Sequence, residues 1–152
     1  MKIYVDADAC PVKNIIIKVA LKYKIEVIMV CDTSHIISDL YSKVITVDKS
    51  RDSADLVLIN LVKKNDIVVT QDYGVACLAI SKNATAVSQN GIVYDSNNID
   101  RLLFERFLSK KVRMSGGKTK NIPKRTKNDD FAFENVFNEI VMKGIEYESE
   151  KD

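Results

Sequence analysis

With 152 residues, 46% apolar, 29% charged and a net charge of +2, the chain has the size and composition of one soluble globular domain with room for a sizeable core. No apolar run approaches the roughly 18 residues that span a bilayer, and the strand-like KIYVDAD begins at once, so neither a membrane protein nor a signal peptide is expected. Cys10, Cys31 and Cys77 are odd in number and lack CxxC spacing, which argues against a disulfide framework or zinc site and for the reducing cytoplasm.

In chain order, short Val- and Ile-rich runs at 2–5, 25–31, 43–47, 66–70 and 85–88 predict buried parallel strands. Pro11 suits the first turn of a helix, and Val12, Ile15, Ile16, Val19 and Tyr23 then recur at helical spacing. Ala54, Leu58, Leu61 and Val62 do the same, so RDSADLVLINLVKK reads as a helix with Asp55 in its first turn and Lys63 and Lys64 at its carboxyl end. After DIVVTQDYG come a short helical stretch, VACLAISK, and the turn QNG before IVYD, a hairpin-like departure from the parallel pattern.

Ile99, Leu102, Leu103, Arg106 and Phe107 predict a helix over 98–110, capped by Asn97 or Asn98. An aperiodic basic loop over 109–128 contains Gly116, Gly117 and Pro123. Phe133, Val136, Phe137, Ile140 and Val141 predict a last helix capped by Asp129 or Asp130, with 144–152 as an acidic, frayed and disordered tail and 1–143 as the domain. Alternating strands and helices under the right-handed crossover rule imply an α/β fold, a three-layer α/β/α Rossmann-like domain with a mainly parallel central sheet. Strand order is not readable.

Carboxylates close the apolar runs: Asp6 and Asp8 end IYVDAD, Asp52 and Asp55 follow the run VITV in VITVDKSRDSAD, and Asp72 ends DIVVTQD. In an open α/β sheet the carboxyl ends of the strands form the ligand crevice. Carboxylates gathered there repel one another unless a cation neutralises them, and a hard, oxygen-seeking ion such as Mg²⁺ or Mn²⁺ suits that role. Asp6 and Asp8, two apart, point to one side if the extended chain continues, and Asp8 alternatively caps the helix that follows. Asp52 either lines the crevice with Asp55 or caps its helix. Thr70, Tyr73, Ser34 and His35 are supporting candidates: Tyr73 either stacks on a base or covers core, and His35 either meets phosphate or is an ordinary loop residue. Cys10 reads as packing.

The charge is segregated along the chain. Residues 109–127 carry eight basic side chains and no acid, Lys110, Lys111, Arg113, Lys118, Lys120, Lys124, Arg125 and Lys127, whereas 128–152 carry eight acids and two bases. The basic run matches a phosphate-backbone footprint or a solvated loop.

DADACPVK, SRDSAD, VVTQDYGVA and NIDRLLFERFLSKKVR together resemble, almost end to end, the bacterial YaiI/YqxD family of uncharacterised proteins. That family looks like a branch of the PIN-like nucleases. The resemblance implies a Rossmannoid domain in which Asp6 is the acid ending the first strand, Asp55 the acid of the central helix and Asp72 the acid after the fourth strand. Asp8 is then an addition particular to the family, and Asp95 after GIVY is the candidate for a further downstream acid. PIN-like domains commonly carry glutamate where this chain has Asp55. The leading expectation is a Mg²⁺- or Mn²⁺-dependent (ribo)nuclease using Asp6, Asp55 and Asp72, helped by Asp8, with the basic segment holding RNA. The alternative is a non-catalytic RNA-binding or adaptor module; an aspartate-nucleophile phosphatase built on DADAC ranks third.

Overall fold

Strands built largely of Val and Ile require apolar cover on both faces. The computed structural model, which describes residues 1–32, 39–48, 53–119, 121 and 123–151, shows how the chain provides it. The elements in order are β1 (Ile3–Asp6), α1 (Lys13–Tyr23), β2 (Val27–Asp32), β3 (Lys43–Val47), α2 (Ser53–Leu61), β4 (Ile67–Val69), α3 (Tyr73–Ser81), β5 (Thr85–Val87), α4 (Ser96–Met114) and α5 (Lys127–Ser149). The five strands form one parallel sheet in the order β3-β2-β1-β4-β5. The chain winds outward from β1 in one direction and then from β4 in the other. With right-handed crossovers, this reversal puts α1 on one face of the sheet and α2 and α3 on the other.

Alternation along each strand splits the core in two. Ile3 and Val5, Val27 and Met29, and Ile67 and Val69 face α1 and α5, where they meet Ile16, Val19, Phe133, Phe137 and Val141. Tyr4, Ile28, Val30 and Val68 face α2, α3 and the start of α4, against Leu58, Val62, Val75, Ala79 and Ile99. The result is the three-layer Rossmann-like arrangement. α1 is fastened to α5 by Tyr23 Oη donating to Asn138 Oδ1 at 3.0 Å, and within α5 the rings of Phe133 and Phe137 stack 5.2 Å apart.

Local expectations were met unevenly. The strands fall within two residues of the predicted runs, and QNG does lead back, through an isolated antiparallel bridge of Val87 with Val93. Pro11 lies just outside α1, whose amino-terminal cap is Val12, with no side-chain bond. Asp8 does not cap that helix. The cap of α4 is Asp95, not Asn97 or Asn98, and that of α5 is Thr126, not Asp129 or Asp130; both are capping boxes in which Asn98 and Asp129 supply the reciprocal bond. α2 stops at Leu61, ahead of Lys63 and Lys64. The basic segment is only partly loop, since α4 continues to Met114 and α5 opens at Lys127. The acidic 144–149 continue α5 as exposed helix to Ser149, with Glu148 paired to the amino terminus.

At the amino edge of the sheet, Asp66 is buried, and its carboxylate accepts the Lys2 N–H and the Lys63 N–H, each at 2.8 Å. Removing an ionised acceptor strands two amides. Asp66→Ala is therefore expected to destabilise the fold by about 3 kcal/mol in urea denaturation; a loss below about 1 kcal/mol would show that those amides find other partners.

Candidate active site

The sheet order reverses between β1 and β4, and such a switch point opens a crevice at the carboxyl ends of the strands. Asp6 is the last residue of β1, and Thr70 follows the last residue of β4, directly beside it. Thr70 Oγ1 donates to Asp6 Oδ2 at 3.0 Å and accepts the Asp72 N–H at 3.0 Å. Its own N–H bonds to Val87 O, and its carbonyl accepts the Tyr94 hydroxyl at 3.1 Å. This one buried threonine thus ties β1, β4, β5, α3 and the segment entering α4 to the Asp6 carboxylate.

Asp72 is the amino-terminal cap of α3, its Oδ1 accepting the Gly74 N–H at 2.8 Å and the Val75 N–H at 3.1 Å. Asp55 lies in the first turn of α2. Both helices therefore present their positive dipole ends to the carboxylates at this edge. β1 ends at Asp6, two residues before Asp8, so strand alternation does not extend to Asp8, and Ala9 then turns the chain in a left-handed conformation, φ 55°. The Asp8 carboxylate instead receives the Asp32 N–H at the end of β2, at 3.2 and 3.4 Å. Asp6 leans toward β4 and Asp8 toward β2.

The carboxylates nonetheless share a field. Burial first, and then the negative charges of Asp55, Asp8 and Asp72, push the Asp6 carboxyl up to about 6 against the opposing hydrogen bond from Thr70. Two depressions divide the acids. Asp6 and Asp8 line one with Cys10, Val69, Thr70, Gln71 and Gln89, while Asp55 and Asp72 line the other between α2 and α3. A larger groove at the opposite end of the strands, bordered by Ile67, Thr85 and Ile140, holds none of these groups.

All four acids offer hard oxygen donors, and burial pushes the pKa of the neighbouring Cys10 thiol up. Among the described residues, no three acidic, histidine or cysteine side chains are grouped so as to hold one ion directly. The donor set fits a hydrated Mg²⁺-like ion, which keeps several waters and takes only one or two carboxylates.

Asp52, Ser34, His35 and Lys120 lie outside the described residues. Tyr73 is half-buried, edge-on to Tyr94 at 5.9 Å, with the Arg106 guanidinium 5.9 Å from its ring centre. Asp95 is occupied as the α4 cap. Of the basic residues, Lys110, Lys111, Arg113, Lys118, Lys124 and Lys127 are exposed. Arg125 is committed: Nε donates to Asp130 Oδ1 at 2.7 Å, Nη1 to Asn90 Oδ1 at 2.8 Å and Nη2 to Gln89 O at 2.8 Å. It anchors the basic arm to the turn that borders the Asp6 pocket.

Sequence reasoning passed over Gln71 and Gln89, joined by Gln89 N–H to Gln71 Oε1 at 3.0 Å, and also Tyr94 and Lys13. Lys13 Nζ reaches Ala7 O at 3.4 Å beside the pocket. The only available signal was position, a lysine following DADACPV and a glutamine beside each strand end.

Residues 4–143 match the family described as "Uncharacterized BCR, YaiI/YqxD family". The chain belongs to the YaiI/YqxD family. Proteins similar to it, each called "UPF0178 protein", include one from Ruminiclostridium cellulolyticum, 61% identical over 134 residues and 88% of either chain. Another, from Clostridium kluyveri, is 48% identical over 151 residues and 99% of either chain. No solved structure matches this YaiI/YqxD member. None of its helices, among the described residues, is long and apolar enough to cross a membrane.

Proposed function

We propose that the chain is a divalent-metal-dependent nuclease of the PIN-like type, hydrolysing phosphodiester bonds of RNA in the cytoplasm. The observation that carries this reading is the Asp6 carboxyl, held at a switch-point crevice and raised to about 6 by burial and three acidic neighbours. Such a group is poised to be neutralised by a cation.

Asp6, with Asp55 and Asp72 and with Asp8 at the rim, would hold Mg²⁺ or Mn²⁺. When bound, such an ion activates water and offsets the charge that develops on the attacked phosphate. Thr70 fixes the Asp6 carboxylate by bonding Oδ2, and the Asp72 cap fixes Asp72 by bonding Oδ1. Lys118 and Lys124, on the arm that Arg125 docks beside the pocket, would hold the RNA backbone. Replacing both with alanine is expected to reduce the slope of log affinity against log salt by about 1.4 for single strands; an unchanged slope removes the arm from the binding surface.

The test is incubation of the pure chain with mixed RNA and Mn²⁺ or Mg²⁺, with and without chelator. Ion-dependent cleavage stopped by chelation supports the reading, and intact RNA at every ion concentration overturns it. A second reading, an RNA-binding module without catalysis, draws on the lack of a direct three-ligand group among the described residues. Binding that persists under chelation, without cleavage, would favour it.

A further inference from the structure

α4 is 19 residues long, about 28 Å, yet Ile99 is its only buried residue. The helix rests on α3 through Ile99, Leu102 and the Arg106 guanidinium over Tyr73. Its other face is apolar and open. Leu103, Phe104, Phe107 and Leu108 are 41%, 59%, 52% and 45% exposed. Their spacing forms one stripe along the helix. Nothing in the same chain covers it among the described residues, since α5 packs on the opposite face of the sheet.

The order of the stripe indicates its occupant. Leu103-Phe104-Glu105-Arg106-Phe107-Leu108 carries the same apolar residues read in either direction, about a centre between Glu105 and Arg106. Asp100 stands one turn before Leu103 and Phe104, and Lys111 one turn after Phe107 and Leu108, both exposed and both in line with the stripe. The Lys111 ammonium lies 5.1 Å from the Phe107 ring centre, laid along that face. A two-fold axis through the centre sets Leu103 on Leu108, Phe104 on Phe107, and Asp100 on Lys111 of the other copy, twice over. A parallel pairing would oppose like charges at both ends. A membrane surface would favour basic groups all along the stripe's border, and Asp100 interrupts them.

We propose that the chain forms a two-fold symmetric dimer through antiparallel docking of α4 on α4 of a second copy, with the Leu103/Phe104/Phe107/Leu108 stripe at its centre and an Asp100–Lys111 pair at each end. The dimer is independent of any reaction at the acidic crevice.

Sedimentation of the full chain over a concentration series tests it. The parent is expected to sediment as a dimer, and Phe107→Glu to raise the dissociation constant roughly a hundredfold. Asp100→Lys and Lys111→Asp should each weaken the dimer about tenfold, and an equimolar mixture of the two should recover it. In the mixed pair every contact again joins opposite charges. Helical circular dichroism matching the parent's would show that these exposed substitutions leave the fold intact. A parent that stays monomeric across the series overturns the proposal, whether or not it binds anionic phospholipid vesicles. So does a dimer that Phe107→Glu leaves intact, or a mixture that fails to re-associate.

Discussion

Asp72→Asn is expected to lower ion-dependent RNA cleavage by about a hundredfold or more, while moving the thermal midpoint by only a few degrees. The two effects separate because asparagine caps a helix as well as aspartate does. The Gly74 and Val75 amides keep an acceptor, and the Asp72 N–H keeps its bond to Thr70 Oγ1. What disappears is one negative charge at the mouth of the crevice, where it acts on Asp6. Asp72→Ala is the companion variant, losing both the charge and the cap, and it should cost a further 1 kcal/mol or so of stability. If the asparagine variant cleaves as fast as the parent, Asp72 is a cap alone. Should Asp72→Asn unfold as early as Asp72→Ala, its loss of activity would be structural and would say nothing about the ion.

How much of this arrangement could be read in advance depended on whether the signal was local. The strands were legible because a run such as Ile67, Val68 and Val69 must be buried on both faces, and little else tolerates that sequence. The adjacency of β1 and β4 was not legible, since parallel neighbours are joined by long crossovers that leave no pattern in the intervening residues. The hydrogen bond between Thr70 and Asp6, 64 residues apart, depends wholly on that adjacency.

Helix starts were misread in one consistent way. At both α4 and α5 one of the two expected caps, Asn98 of Asn97 or Asn98 and Asp129 of Asp129 or Asp130, is the third helical residue of a capping box whose cap, Asp95 or Thr126, lies three earlier. Each member bonds the other's backbone amide, so both are polar, and sequence alone does not rank them. The alternation argument for Asp8 held only if the strand continued; β1 ends at Asp6, and it is the fold around β2 that brings Asp8 into the depression that Asp6 lines. Asp6, Asp55 and Asp72 were legible as acids near element ends, but the division of the four carboxylates between two depressions was not.

The Asp6 carboxyl also makes a prediction about stability that requires no substrate. In the unfolded chain an aspartate gives up its proton near pH 4, whereas in the fold Asp6 holds its proton up to about 6. Between these values the folded state binds more protons, so the contribution of Asp6 to stability falls as pH rises through that window and is lost above it. Allowing for the water that still reaches this carboxyl, the penalty at pH 7 without a divalent ion is about 2 kcal/mol. Asp6→Asn, which can still accept the Thr70 hydroxyl, should remove that fall and be the more stable protein at pH 7 in chelator. Adding Mg²⁺ or Mn²⁺ should reverse the order, because an ion that binds the ionised carboxylate stabilises only the parent. Denaturant unfolding of the two proteins from pH 4 to 8, with and without the ion, reads all of this from the difference between their curves, in which the contributions of carboxylates outside the Asp6, Asp8, Asp55 and Asp72 cluster cancel. Parallel curves in chelator would remove the strain assigned to Asp6. A difference that appears in chelator but is untouched by the ion would leave Asp6 a buried, protonated structural acid and take away the main support for metal-dependent chemistry at this crevice.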